Sequence, residues 1–281
     1  TAPLEQWEDR LPAPESPVPA TLCRPSAPAA GPRPCIVYFH GGGWQYGSRA
    51  IVQPFCRFLA QEADALVVNP EYRLAPEHPW PAGPEDAWAV LTHVYVHADE
   101  LGIDKGRITV AGDSAGGNLA ALCAHRDRDL GTGMVRHQVL YYPALAVRDI
   151  EGLEGFRFSL EDYCYDDSQK HLIEPRVLAI YNAGRRSEVN YVPAGVSTRD
   201  KAVSPLWDSD FSRLPETLLI AAQYDYLTQQ CRAYAARLAA AGVPVTLMNY
   251  CGMAHAFVDQ CGVYPQADDS LRAFATFVKK R

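Results

Sequence analysis

The sequence VAGDSAGGN, residues 110–118, decides how the rest of this chain is interpreted. Apolar, β-branched residues precede it and an Ala- and Leu-rich segment follows it, so it predicts a strand, a tight turn and a helix in succession. Gly112 and Gly116 have no β-carbon to collide where the strand and the helix approach each other. We expect Ser114 to stand exposed in the turn, at the positive end of the helix that begins near Ala115.

The G-x-S-x-G pentapeptide inside this stretch is weak evidence by itself, because it occurs by chance in roughly one chain in ten of this length. An ordinary glycine-rich turn between a strand and a helix is the alternative. The rest of the sequence has to decide between the two.

The composition is typical of one α/β domain over residues 1–281, with 48% hydrophobic and 21% charged residues. A formal net charge of −7 gives no positive surface for nucleic acid or an anionic membrane. No apolar run approaches the roughly 20 residues that a membrane span needs, and no signal peptide is visible. We therefore expect a cytoplasmic protein, although a chain that begins at Thr1 would not show a leader that had been removed.

Eight cysteines are scattered along the chain without a C-x-x-C motif or a paired Cys/His spacing, so the sequence predicts no metal site. Several lie inside apolar strand or helix patterns, as small buried side chains do in a reducing compartment. We expect no disulfide framework. Cys251 and Cys261 flank His255, and one local disulfide between them remains an alternative.

Strand-like and helix-like segments alternate along most of the chain. Residues 1–34 contain nine prolines and predict an extended N-terminal arm. Apolar runs predict strands at residues 18–23, 35–39, 65–68, 107–110, 137–142, 216–223 and 243–250. Amphipathic segments between the later strands predict helices, which implies a mainly parallel sheet covered on both faces.

One segment, residues 149–203, interrupts this alternation with two helical pieces and no clear strand. Its aromatic side chains include Tyr163, Tyr165 and Tyr181. A segment this long between two core strands is usually functional, so we expect a small helical lid over the site. A surface excursion without substrate contact is the alternative.

A serine hydroxyl is a weak nucleophile near neutral pH, and it needs a base, a carboxylate that orients the base, and donors for the oxyanion. Asp225 directly follows a predicted strand, and His255 lies in the loop after the last strand. Seven other histidines compete for the role of base, and Asp208, Asp210 and Asp259 compete for the role of acid. Asp225 and His255 are favoured because of their positions.

The sequence HGGGW, residues 40–44, ends another buried strand. Three successive glycines free the backbone to aim its N–H groups at a small negative group. A flexible hairpin loop is the alternative.

Six motifs follow one another along the chain: HGGGW at 40–44, YRLAPEH at 72–78, GDSAGGN at 112–118, SPL at 204–206, the segment at Asp225, and GMAH at 252–255. Together they resemble the hormone-sensitive-lipase-like family of α/β-hydrolases, in its branch with Gly-Asp-Ser-Ala-Gly. The likeness runs from about residue 18 to the C-terminus. It implies the α/β-hydrolase fold, a mostly parallel central sheet with helices on both faces and a small helical cap or lid.

This resemblance implies a carboxylesterase that acts on short acyl or aryl esters, with a small-molecule ester as its partner. It implies no metal and no organic cofactor. Ser114 would be the nucleophile, His255 the general base and then the general acid, and Asp225 the residue that orients the imidazole.

The resemblance also implies an oxyanion hole made by the backbone N–H groups of Gly42, Gly43 and Ala115, with Gly41 as an alternative to one of them. Asp113 is expected to support the site. The residues predicted to border the substrate pocket are Trp44, Asp113, Tyr163, Tyr165, Tyr181 and Trp207.

Two features depart from the family pattern. Members usually carry a Pro-Leu-Arg-Asp-Glu-Gly-like run after the acid, where this chain has YLTQQ at 226–230, so we expect a changed pocket wall. Members also commonly carry an N-terminal helical cap, where this chain has the proline-rich arm.

Two other functions are compatible with these residues. An amidase, deacetylase or peptidase would need the leaving nitrogen protonated, which the sequence does not test. A non-catalytic small-molecule-binding protein, as in plant hormone receptors that resemble this family but lack the triad histidine, is disfavoured because His255 is present. The oligomeric state, monomer or homodimer, stays open.

Overall fold

The computed structural model describes residues 3–148, 150, 152–153 and 158–279. Its strands are β1 (Leu4–Leu11), β2 (Val18–Pro25), β3 (Arg33–Phe39), β4 (Leu66–Pro70), β5 (Ile103–Asp113), β6 (His137–Tyr141), β7 (Glu216–Tyr224) and β8 (Val245–Ala254). They form one sheet in the order β1-β2-β4-β3-β5-β6-β7-β8. Strands β3 to β8 are parallel, and β1 and β2 are antiparallel to their neighbours. The predicted mainly parallel α/β fold is confirmed.

Helices cover both faces of this sheet. They are α1 (Arg49–Ala63), α2 (Ala82–Val96), α3 (Ala98–Leu101), α4 (Ala115–Leu130), α5 (Lys170–Tyr191), α6 (Thr228–Ala240) and α7 (Pro265–Val278). Successive side chains of β3 enter opposite cores: Val37 packs in the cluster that contains residues of α2 and α4, and Tyr38 in the cluster that contains residues of α1 and α7. A strand buried on both faces therefore reads as a continuous apolar run.

The proline-rich arm, residues 1–34, adds two strands to the edge of the sheet. β1 pairs with β2 along its whole length, and β2 pairs with β4, with Leu22 opposite Val68. The strand expected at 18–23 lies within β2. β1 gives no signal in the sequence, because most of its side chains are polar and exposed and no apolar alternation marks it.

In its described residues, the expected lid segment contains one long helix instead of two helical pieces. α5 spans 22 residues and follows two short 3₁₀ turns at Leu160–Asp162 and Asp167–Gln169. Residues 149, 151 and 154–157 of the expected lid lie outside the described residues. The limits of the lid and the assignment of residues 1–281 to one domain stay predictions.

All eight cysteines are free, and five of them are buried. Cys251 is exposed and Cys261 is half-buried, and neither is in a disulfide, so the alternative of a local bridge beside His255 is wrong. No helix in the described part of the chain is both long and apolar enough to cross a bilayer.

The β5–α4 turn passes unusually close to the end of β3. A β-carbon on Gly116 would lie 2.0 Å from the Phe39 carbonyl oxygen, and one on Gly112 would lie 2.4 Å from the Gly116 carbonyl carbon. Backbone atoms occupy these positions, so a side chain cannot be accommodated by rotating a neighbour. Glycine is required at both positions because of this contact.

Replacing Gly116 with alanine is expected to lower the free energy of unfolding by about 3 kcal/mol, because the new β-carbon must displace the end of β3. Urea denaturation followed by circular dichroism measures the change. Gly31→Ala is the matched control, since nothing lies within 4 Å of the β-carbon it would add. It should change stability by less than about 0.5 kcal/mol. Equal stability of the two variants would contradict the close approach.

Candidate active site

Ser114 lies in the sharp turn between β5 and α4 with a backbone conformation that non-glycine residues rarely adopt, φ 54° and ψ −116°. Such a residue costs on the order of 1–3 kcal/mol and persists because its surroundings fix it. Here the Ser114 N–H donates to the Tyr141 carbonyl at 2.9 Å, and the Ser114 carbonyl accepts from the Ala144 N–H at 2.9 Å. The turn thereby directs the hydroxyl out of the sheet toward the loops that follow β7 and β8.

The three residues predicted to act together lie in one hydrogen-bonded series. His255 Nε2 is 3.0 Å from Ser114 Oγ, and His255 Nδ1 is 2.6 Å from Asp225 Oδ2. The carboxylate is fully buried, and its other oxygen accepts the Leu227 N–H at 2.9 Å. Because an ionised carboxylate only accepts hydrogen bonds, Nδ1 carries the proton and Nε2 is left to accept the Ser114 hydroxyl.

The competing histidine and acid that the sequence offered form a separate buried cluster. His125 Nδ1 contacts Asp208 Oδ2 at 2.8 Å, and His125 Nε2 contacts the Tyr234 hydroxyl at 2.9 Å. Arg128 also donates to Asp208, at 2.6 Å. Both ring nitrogens of His125 are therefore engaged inside the fold.

The electrostatic environment favours a protonated His255 more than water does. Burial alone would lower the pKa of His255, because it disfavours the charged imidazolium. The hydrogen-bonded Asp225 carboxylate outweighs burial, and Asp113 and Asp259 act in the same direction. The pKa of His255 is consequently raised above 6.5.

The loop after β3 carries three consecutive residues in the left-handed region: Gly42 at φ 125°, Gly43 at φ 62° and Trp44 at φ 60°. The Gly42 carbonyl accepts the N–H groups of Gln45 and Tyr46 at 3.2 and 2.9 Å. A peptide unit is planar and trans, so the Gly43 N–H points the opposite way from that carbonyl.

The peptide unit before Gly42 is fixed in a similar way, because the Gly41 carbonyl accepts from His40 Nδ1 at 2.8 Å. The Gly42 N–H therefore points away from His40. Among the residues that the structure describes, no acceptor is assigned to the N–H of Gly42, Gly43 or Ala115. Gly42 and Gly43 border the same cavity as Ser114, and Ala115 directly follows Ser114, so an anion in this cavity could reach these three donors.

Gly41 does not supply such a donor. Its N–H donates to Asp113 Oδ1 at 3.0 Å. The alternative that placed Gly41 in the oxyanion hole is therefore wrong. The same carboxylate accepts from the Tyr38 hydroxyl at 3.3 Å. Burial raises the pKa of Asp113 to about 7, and the Asp259 carboxylate adds to this while the two hydrogen bonds oppose it.

A cavity of about 460 Å³ opens beside Ser114 and His255. One face of α5 forms part of its wall, through Ile180, Ala183 and Ser187. This spacing of i, i+3 and i+7 is a helical face that a periodicity search of the sequence could have found. The small side chains of Ala183 and Ser187 leave room between the helix and Ser114.

Two predicted pocket residues border this cavity, and four do not. Trp44 and Asp113 contribute to the lining. The four whose prediction must be corrected use their polar or aromatic groups elsewhere: the Tyr163 hydroxyl donates to the Asp225 carbonyl, the Tyr165 hydroxyl to Glu174, Tyr181 stacks on Phe158, and Trp207 lies under Arg199.

The segment that departs from the family pattern does form a wall of the cavity. Tyr226 and Gln230 border it, and Gln230 exchanges two hydrogen bonds with the backbone of Ala146, at 2.9 and 3.1 Å. The sequence marked this segment as unusual but gave no sign of which side chains face the substrate.

In the described ranges, no group of three or more His, Cys, Asp or Glu side chains is placed to hold a metal ion. The arrangement offers a different chemistry, in which a hydroxyl next to a neutral imidazole nitrogen can attack a carbonyl carbon. The available N–H donors can hold the resulting negative oxygen.

Comparisons with known proteins show which proteins this chain is similar to. The family model for the alpha/beta hydrolase fold matches residues 36–259. Esterase LipI of Mycobacterium tuberculosis is 35% identical over 247 residues, which is 88% of this chain and 72% of that protein. Carboxylesterase NlhH of the same organism is 38% identical over 241 residues, 84% of this chain and 70% of that protein.

A solved esterase structure is also similar to this chain. The carboxylesterase EstE1, cloned from a metagenomic library, superposes with a TM-score of 0.86 at 31% identity, covering 99% of this chain and 90% of that chain. The likeness thus extends over nearly the whole chain described above.

The raised pKa of His255 can be tested without any substrate. An NMR titration of the imidazole carbon should give a midpoint above 6.5. In Asp225→Asn the midpoint should move to lower pH, because burial remains and the balancing negative charge is lost. Asp99→Asn, which removes an exposed carboxylate from α3, is the control and should leave the midpoint in place. An unmoved midpoint in Asp225→Asn would count against the pairing of Asp225 with His255.

Proposed function

Because this chain belongs to the hormone-sensitive-lipase-like family of α/β-hydrolases, we propose that it is a carboxylesterase with Ser114 as its nucleophile. The observation that carries this proposal is the continuous hydrogen-bonded series from Asp225 through His255 to Ser114. Each member of that series supplies a group that ester cleavage needs.

In the first half of the reaction, Ser114 Oγ bonds to the carbonyl carbon of the ester and His255 Nε2 takes its proton. The electron pair of the carbonyl double bond moves to oxygen. Asp225 keeps the proton on Nδ1 and stabilises the imidazolium. The N–H groups of Gly42, Gly43 and Ala115 receive the oxyanion.

The tetrahedral intermediate then collapses. The bond between carbon and the alkoxy oxygen breaks, and His255 Nε2 gives its proton to the departing alcohol. A water molecule takes the place of the alcohol, gives a proton to His255 and attacks the acyl group. Release of the acid returns the proton to Ser114 Oγ, so no external reagent other than water is consumed.

The substrate that this site suits is a short acyl or aryl ester. A cavity of about 460 Å³ is in the size range of small-molecule sites, and Trp44 and Tyr226 give its wall an aromatic character. α5 covers one side, which supports a lid role for residues 149–203.

The proposal also places the protein in the cytoplasm. Free thiols persist in a reducing compartment, and all eight cysteines here are free. Neither a monomer nor a homodimer is required by the chemistry.

Ser114→Ala should lower kcat on p-nitrophenyl acetate by at least about 10⁴-fold with the fold unchanged, because the attacking atom is removed. Ser16→Ala, an exposed serine in the N-terminal arm, is the matched control and should keep wild-type activity.

The wild-type enzyme should be tested on p-nitrophenyl esters from acetate to decanoate and on the matched acetanilide. We expect the highest kcat/KM on the short esters and little turnover of the amide. Activity that survives in Ser114→Ala would contradict the proposed nucleophile, and preferred cleavage of the amide would favour the amidase function instead.

A further inference from the structure

The left-handed backbone of the oxyanion loop, defined here as residues 41–44, needs an outside support. Tryptophan has a β-carbon that disfavours φ 60°, and such conformations persist only where neighbouring groups over-determine them. Hydrogen bonds from His40, Gln45 and Tyr46 fix the glycine peptides, but they do not hold the Trp44 side chain.

The support for Trp44 comes from the end of α5. The rings of Trp44 and Tyr191 stack with centroids 4.6 Å apart and planes 5° from parallel. Both side chains are almost fully buried, and neither Trp44 Nε1 nor the Tyr191 hydroxyl has a hydrogen-bond partner in the described structure. The contact is therefore made by the ring faces alone.

Two polar side chains of α5 reach the same loop through Gln45. Gln45 Nε2 donates to the Gly43 carbonyl and to Ser187 Oγ, both at 3.3 Å. Asn190 Nδ2 donates to Gln45 Oε1 at 2.7 Å. Asn190 and Tyr191 lie three and four residues after Ser187 on α5, so one helical face makes all these contacts.

The end of α5 is in turn fixed to the body of the protein. The Tyr191 carbonyl accepts the Trp80 N–H at 2.8 Å, and the Trp44 carbonyl accepts the Ala75 N–H at 2.8 Å. Trp44 and the end of α5 are thus both hydrogen-bonded to the same proline-rich segment, residues 72–81.

We propose that Tyr191, Ser187 and Asn190 are positioning residues for ester cleavage: they hold the oxyanion loop in the conformation in which the Gly42 and Gly43 N–H groups face the reacting carbonyl. This inference rests on the proposed function. The helix that covers the substrate also sets the donors that stabilise the transition state. Movement of α5 away from the loop lowers the rate of the chemical step, and not only the binding of substrate.

The test compares Tyr191→Ala with Tyr191→Phe. The alanine variant should lower kcat on p-nitrophenyl acetate by about 10- to 100-fold with KM within about twofold, because a displaced donor weakens only transition-state binding. The phenylalanine variant should keep wild-type kcat, since the missing hydroxyl has no partner. Val189→Ala, an exposed neighbour on α5 that is 78% accessible, is the matched control and should behave as wild type.

A second measurement separates positioning from general damage. An aryl boronic acid forms a tetrahedral adduct on a serine oxygen, so its inhibition constant should rise in Tyr191→Ala by about the same factor as kcat falls. The NMR midpoint of His255 should stay in place, since its partner Asp225 is untouched. If Tyr191→Ala fails to fold, the double variant Gln45→Ala/Asn190→Ala removes the polar contacts at less buried positions and should show the same joint change, at a smaller factor.

A Tyr191→Ala enzyme with unchanged kcat and unchanged boronate affinity would overturn the inference, as would a raised KM with wild-type kcat. In either case α5 only shapes the cavity. Failure of the proposed function would look different: the wild-type protein would then cleave no ester in a Ser114-dependent way, whatever stands at position 191.

Discussion

The contact between the β5–α4 turn and the end of β3 is the constraint on which this molecule depends. Gly112 and Gly116 bring backbone within van der Waals contact of the Phe39 carbonyl, a distance that no side chain permits. Since β3 and β5 are neighbouring parallel strands, the same contact sets the loop after Phe39 beside Ser114. The strained serine and the position of the glycine loop beside it are thus consequences of one packing requirement.

The parallel sheet brings the acid and the histidine to Ser114. β7 and β8 end at the same edge as β5. Asp225 directly follows β7, and His255 directly follows β8. Parallel strands deliver their carboxyl ends to one edge, which is why residues more than 100 positions apart in sequence meet within hydrogen-bonding distance. Burial strengthens the pairing of Asp225 with His255, because the carboxylate is shielded from solvent.

The sequence allowed the central strands, the order of the helices and the three residues at 114, 225 and 255 to be predicted, because buried strands are apolar and glycine turns are explicit. It did not indicate β1, whose exposed polar side chains carry no period. The prediction that the aromatic residues at 163, 165, 181 and 207 border the pocket is wrong for a related reason. Composition shows that a segment is aromatic, but only tertiary packing decides which rings face a cavity and which stack on one another.

α5 divides its tasks along its length. Ile180 and Ala183 border the cavity, whereas the hydrogen bonds and the ring stacking that hold the oxyanion loop come from the last two turns. The middle of α5 and its last two turns should therefore be under different selective constraints. Substitutions in the middle of the helix can alter the cavity and thus the substrate preference, whereas substitutions at its end would disturb the oxyanion loop. Related proteins can therefore diverge in substrate while they keep the same catalytic mechanism.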